Sequence, residues 1–229
     1  MARVLAEVTA TGHRRQRTTA MTRVVERAST TALDEPDDVR VMPLASELLQ
    51  LVSLAWPGGL KRGATVVASG ATSLLFALLA EPMAKGAWAA IVGAPELGVA
   101  AAPEYGIDLA RLALVPQPGD RWAEVVAALI DGFDMVIVAP PAGIPARLAS
   151  SLMARTRQRG CVLIPTGPWP GSDLTLKVVE RRWRGVGRGR GRLRLQEAVV
   201  EAVGRGRAER PRRAAMALPP QSVAQRSSG

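Results

Sequence analysis

The sequence is poor in the side chains that most chemistry at protein sites relies on: it holds one cysteine (Cys161), one histidine (His13), one tyrosine and two phenylalanines. One cysteine cannot form an internal disulfide framework. One histidine and one cysteine cannot supply a His/Cys zinc set, and His13 lies too far outside the apolar core region to make a Cys-His dyad within it. Cys161 opens the apolar run CVLIP and is expected to be a small buried hydrophobe, and unpaired cysteine suits a reducing compartment. The sequence also lacks long apolar runs. The N-terminus, MARVLAEVTATGHRRQR, has no uninterrupted apolar core of the secretory kind, and no stretch is long enough to span a bilayer. These absences predict a cytoplasmic chain with no membrane partner and no metal. What is present is 229 residues, 48% of them hydrophobic, which suffices for one sizeable core with tails.

Charge is unevenly placed. The chain carries a formal +10, with Arg at 27 of its 30 basic positions. Residues 1–40 hold seven Arg against six acids, and residues 41–180 hold ten basic against eleven acidic groups. Residues 181–213 hold twelve Arg against three Glu. A near-neutral body with a strongly basic C-terminal segment predicts a polyanionic or acidic partner for that segment. A GC-rich genome would explain the choice of Arg over Lys, but not the clustering.

Hydrophobic periodicity predicts an α/β fold. Residues 1–40 mix Thr, Arg and acids, end in LDEPDD, and predict a flexible arm or linker. In LASELLQLVSLAW, Leu44, Leu48, Leu51 and Leu54 or Ala55 share a helical stripe, with Pro43 near the helix start. Strand-like and helical runs then alternate: strands 64–69, 87–94, 112–116, 134–140 and 161–167, and helices 72–86, 121–131 and 144–160. Apolar strands separated by amphipathic helices predict a mostly parallel sheet covered on both faces, over residues 41–170. From Gly171 to Gly204 apolar and charged residues alternate around a glycine-rich turn, as in an antiparallel hairpin with one wet face. Residues 205–229 predict a disordered Arg/Pro-rich tail.

In such a fold the loop after the first core strand and the following helix N-terminus form the default ligand site. Here that loop reads Ser69, Gly70, Ala71, Thr72. A working phosphate loop needs several glycines, a Lys for the terminal phosphates and a Ser/Thr for magnesium. Ala71 stands at the lysine position and the loop is too short to encircle a triphosphate. Strand DMVIVAPP ends in Ala139, where a magnesium-binding Asp is expected. Without that cation the charge growing in phosphoryl transfer has no counterpart, so no cofactor and no catalytic residue is assigned. The expected role of SGAT is a tight strand-to-helix turn with Ser69 or Thr72 capping the helix.

The order GGLKRGATVVASGATSLLFALL, AAIVGAPELG, YGIDLARLALVPQPGDRWAEVVAALIDGFDMVIVAPPAG resembles the core of RecA-type ATPases across roughly residues 57–167. With Ala71 and Ala139 at the Walker positions and a WRG glycine-arginine hairpin following, the chain is most similar to the degenerate RecA-like accessory proteins of the ImuA group, in their actinobacterial form. That resemblance implies a non-enzymatic member of an SOS-induced mutagenic repair cassette. The implied partners in translesion synthesis are an ImuB-type Y-family polymerase homologue, an error-prone replicative-type polymerase and RecA. In RecA enzymes a Glu after the second core strand orients the attacking water, and Glu96 lies near that place.

The basic run 181–192 is the most distinctive segment. Arg181, Arg182, Arg184, Arg188, Arg190 and Arg192 can contact phosphates of single-stranded DNA, and Trp183 can stack on a base or fill a partner's pocket. The plainer alternative is a solvated hairpin with Trp183 covering the sheet edge. Trp56, Trp88 and Trp122 lie in or beside apolar stretches and are expected in the core. Trp169, on the Pro/Gly loop GPWPGS, is expected to be exposed and to join Trp183 as a partner-binding anchor. Asp37 with Asp38, and Glu197 with Glu201, do not make a positioned acid/base couple; the latter pair is expected to engage Arg. The overall expectation is an interaction platform. The alternatives are a nucleotide-binding RecA-like ATPase with an atypical phosphate loop, and a plain DNA-binding module.

Overall fold

The computed structural model describes residues 41–184 and 195–220. The expected flexible arm, the turn of the basic hairpin with Arg188, Arg190 and Arg192, and the last nine residues lie outside the described residues.

A short antiparallel pair, β1 (Val41–Met42) and β2 (Leu60–Lys61), brackets helix α1 (Ser46–Val52). The elements that follow are β3 (Val66–Ser69), α2 (Thr72–Ala84), β4 (Ala89–Val92), β5 (Leu112–Val115), α3 (Trp122–Gly132), β6 (Met135–Val138), α4 (Ala146–Arg159) and β7 (Val162–Pro165). The chain closes with β8 (Leu174–Arg184), β9 (Leu195–Gly204) and β10 (Arg212–Leu218). Strands β5-β4-β6-β7 pair in parallel. Strands β3 and β8 also pair in parallel, and β9 and β10 extend that side antiparallel. A parallel bridge from Thr65 to Leu163 joins the two groups, so the strand order across the body is β5-β4-β6-β7-β3-β8-β9-β10. The fold is therefore α/β, with a mostly parallel sheet flanked by helices and a C-terminal antiparallel extension.

The apolar strand runs divide by the two-residue alternation of a strand. Ala89, Ile91, Met135, Ile137, Val162 and Ile164 face a core shared with α1 and α2. Ala90, Val92, Val136, Val138 and Leu163 face a second core under α3 and α4. Helix α2 is the most enclosed: Leu74 to Ala80 are all buried, because it lies across the sheet with apolar residues on every side. Of the expected stripe, Leu48 and Leu51 are buried on α1 and Leu44 is buried just before it, while Leu54, past the helix end, is 46% exposed.

Two expectations are corrected. The tail expected from residue 205 contains β10, which pairs with β9 from Arg212↔Ala202 to Leu218↔Gln196. Met216 and Leu218 supply the apolar side that makes this edge strand worth forming, and Arg212 and Arg213 keep its margin charged. Trp169, expected to be exposed, is 5% exposed and lies with Trp122 at a ring-centroid distance of 6.3 Å. The Pro/Gly loop turns the indole back under the second core instead of presenting it.

Candidate functional site

The loop between β3 and α2 occupies the place expected of a phosphate loop. Gly70 takes φ +94°, and a Cβ there would come within 2.6 Å of the Val178 carbonyl oxygen on β8. Glycine is required because the neighbouring strand passes directly beside it. Ala71 is the N-cap of α2 in an extended conformation, with no side-chain capping hydrogen bond. The expected capping by Ser69 or Thr72 is therefore not what holds this turn. Ser73 anchors the first turn of α2 instead, its hydroxyl donating to Gln196 Oε1 on β9. It also hydrogen-bonds Tyr105, whose phenol is pushed well up by burial and then by the charge of Glu104, with the Ser73 bond opposing.

Beside the loop is an open hollow of about 350 Å³, lined by Ala68 to Thr72, Leu75, Thr166 and Arg181. Arg181 comes from β8, and a β-bulge brings it here. Leu174, Leu176 and Val178 are buried on the α2 side of the strand. The register then slips between Val178 and Glu180, so that Arg181 stands opposite Ala198 and Trp183 opposite Gln196. Cross-strand partners share a face. Arg181 and Trp183 thus inherit the α2 side, while Glu180 and Arg182 take the other. Trp183 is 55% exposed. Arg181 and Arg182 are exposed as well, and Arg184 ends the strand. On the same hairpin Glu201 pairs with Arg213 at 2.7 Å, as expected of an acid in a basic segment.

Just after β6, Ala139 is held by its backbone. Its N–H donates to the Val92 carbonyl at 2.9 Å, and its carbonyl accepts from Trp122 Nε1 at 3.3 Å. Glu96 is exposed in the loop after β4 and does not line the hollow. The structure thus brings Ser69, Gly70, Ala71, Thr72 and Arg181 together, and sets Trp169 apart from them.

The YGID and FDMVIVA segments that carried the sequence argument have structural work. Tyr105 and Ile107 are buried, and Asp108 accepts the Ala110 N–H at 2.9 Å, capping a short turn into β5. Asp134 is buried and accepts from the Trp88 N–H at 3.0 Å and from Arg62 Nη1 at 2.9 Å. Cys161 is buried, and burial, then the charge of Asp134, pushes its thiol far above the usual range. Sequence reading missed a group of cations on the other side of the molecule: Lys61, Arg62, Arg157 and Arg205 line one cleft. They are scattered over three segments of the chain, so no local pattern could have found them.

The fold and the loop define a class: a doubly covered, mostly parallel α/β domain with a strand-to-helix turn that carries no cation of its own. The chain belongs to the family of the MT3502 N-terminal domain, whose model matches residues 53–171. That match takes in the loop, α2 and Ala139, and stops before β8 and the basic hairpin. The uncharacterized protein Rv3395c of Mycobacterium tuberculosis is 46% identical over 124 residues, 53% of this chain and 61% of the relative. The matched part thus spans about three fifths of that relative's length.

Proposed function

We propose that this chain is a non-catalytic, RecA-like accessory protein of SOS-induced translesion DNA synthesis in the cytoplasm, a platform for an ImuB-type Y-family polymerase homologue. The observation that carries the reading is the loop at Ser69–Thr72. It has the position of a phosphate loop, yet Ala71 replaces the cation, Gly70 is pressed against the Val178 carbonyl, and Ala139 ends the strand expected to hold magnesium. A domain whose nucleotide chemistry has been dismantled is retained for its surfaces. The exposed Trp183 beside Arg181 and Arg182 has the composition of an interface anchor. Single-stranded DNA on the hairpin arginines, and contacts with the error-prone replicative-type polymerase and RecA, belong to the same reading.

Co-purification with the polymerase homologue tests it. The two proteins are expected to form a complex, and Trp183→Ala should weaken it by about 2 kcal/mol, roughly thirtyfold. Failure of the wild-type chain to form the complex would remove the reading. One observation favours a rival. Arg181 lines the hollow beside the loop and offers a cation from β8 in place of the missing lysine, as a nucleotide-binding domain with an atypical loop would require. Magnesium-dependent ATP turnover that Thr72→Ala abolishes would establish that rival.

A further inference from the structure

A second cleft, of about 390 Å³, lies at the opposite end of the sheet from the phosphate-loop turn. Its walls are the segment leading into β3, the last turn of α4, the residues before β8 and the residue after β9. Lys61, Arg62, Arg157 and Arg205 line it against one carboxylate, Asp173, with Trp56 on its rim. Two of these charges are spoken for: Arg62 Nη1 meets Asp134 Oδ1 at 2.9 Å, and Asp173 Oδ2 accepts the Thr65 N–H at 2.9 Å. Lys61, Arg157 and Arg205 are exposed and have no carboxylate partner among the described residues. The contrast within α4 is informative. Arg155 and Arg159 are both tied to Asp131 on α3, whereas Arg157 between them is turned away from that acid and into the cleft.

Glycine geometry assembles the cluster before any ligand arrives. Gly63, at φ +80°, lies so near α4 that a Cβ would come within 3.0 Å of the Arg157 Cα. Its N–H donates to the Cys161 carbonyl at 3.1 Å. The turn carrying Lys61 and Arg62 is thereby seated on the helix end that carries Arg157. Arg205 reaches the same cleft from the end of β9, its Nη2 in ordinary contact range of Gly171, 3.4 Å from where a Cβ would stand.

We infer that this cleft binds single-stranded nucleic acid, with Lys61, Arg157 and Arg205 on backbone phosphates and a base against the Trp56 indole. Guanidinium forks match phosphate oxygens, and a half-buried indole offers a π-face to any base. An acidic peptide would answer the charge but leave the indole without a planar partner. The site is separate from Arg181 and Arg182, since β8 carries the chain from Leu174 beside the cleft to Arg181 over about 23 Å, at roughly 3.3 Å per residue. It therefore goes beyond the DNA contact proposed for the hairpin, and neither depends on the other.

The test uses the full chain and a fluorescein-labelled oligo(dT), with anisotropy followed across a salt series. The triple variant Lys61→Gln, Arg157→Gln, Arg205→Gln should bind at least about tenfold more weakly and lose about 2 from the log–log salt slope, at roughly 0.7 per phosphate contact. Arg62 is kept, because its removal would strand buried Asp134. Arg147→Gln, near the start of α4 and about 15 Å along the helix from Arg157, should leave affinity and slope unchanged. Arg157→Gln alone should lower the slope by about 0.7, which keeps the test open if the triple variant folds poorly. An abasic oligomer of equal charge should bind the wild type about tenfold more weakly than oligo(dT), and Trp56→Ala should abolish that preference. Wild-type affinity and slope in the triple variant would overturn the inference. So would competition by poly-glutamate as effective as that of unlabelled oligo(dT), which would assign the cleft to an acidic protein segment. Loss of DNA binding on Arg181→Gln with Arg182→Gln, but not in the cleft triple, would refute the cleft and leave the hairpin reading standing.

Discussion

Truncating Trp169 and Trp183 separately distinguishes a core tryptophan from a surface one. Trp169 is 5% exposed and packs on Trp122 in the core beneath α3 and α4. Trp169→Ala removes an indole from a site that cannot fully collapse, at a cost of about 3–5 kcal/mol. In a chain of this size that lowers the thermal midpoint by about 6–20 °C, at roughly 2–4 °C per kcal/mol. Trp169→Phe should cost less than about 1.5 kcal/mol, since it keeps an aromatic ring against Trp122. It also discards the indole N–H, which finds no acceptor among the described residues. Coupling between Trp169→Ala and Trp122→Ala in a double-mutant cycle should come to about 1 kcal/mol, the worth of one tilted aromatic pair. Trp183, 55% exposed, should change stability by less than about 0.5 kcal/mol on truncation. Differential scanning calorimetry and a polymerase-homologue binding assay on the same five variants, the double mutant included, give the answer. A Trp169→Ala protein that melts with the wild type and yet loses its partner would refute the packing argument outright.

Other consequences can be checked one by one. Gly70→Ala should destabilise by about 2–4 kcal/mol in chemical denaturation, because it combines a positive φ with a Cβ 2.6 Å from a backbone oxygen. Millimolar ATP should raise neither the melting temperature nor phosphate release, with Thr72→Ala as the control for any signal seen. The Arg155 hydrogen bond, aided by the charges of Arg155 and Arg159 and opposed by desolvation, holds the Asp131 carboxyl below its ordinary 3.8. The resulting stability is present in full above 3.8 and is lost as pH falls through the lowered native value. Asp131→Asn should therefore cost at most about 1 kcal/mol near neutral pH, and the gap to the wild type should close only in strong acid. Cys161, buried and with its thiol pushed up, should resist thiol reagents in the native protein and react at the rate of unfolding.

Element type was legible in the sequence wherever one periodicity ran long enough. ATVVAS, DMVIVAP and CVLIP became β3, β6 and β7, and TSLLFALLAEPMA became α2, because burial on both faces leaves a signature no exposed segment shares. Segments whose fate depends on a distant neighbour misled. GPWPGS has the composition of an exposed loop, and what covers Trp169 is Trp122, 47 residues earlier in the chain. RRAAMAL has too few large apolar residues to announce a strand, and forms β10 because β9 offers an edge to pair with. Ser69 and Thr72 are good capping residues by type, but the helix is held by Ser73 reaching Gln196, a contact 123 positions apart. The absence of a cation from the turn at Ser69–Thr72 could be read from residue identities alone. The basic cleft could not, since its four cations come from three separate segments, and only the fold, with Gly63 close against the Arg157 backbone, brings them together.

The bulge between Val178 and Glu180 gives β8 a division of labour along its length. Up to Val178 the inward residues answer to the core, and any change there is felt by the whole domain. Past the extra residue the same side of the strand emerges from under the helices, and Arg181 and Trp183 answer to whatever lies outside. One inserted residue has thus uncoupled two halves of a continuous strand: the outer half can exchange its arginines and tryptophan for other side chains, and so acquire or lose a partner, while the inner half goes on holding β3 in register.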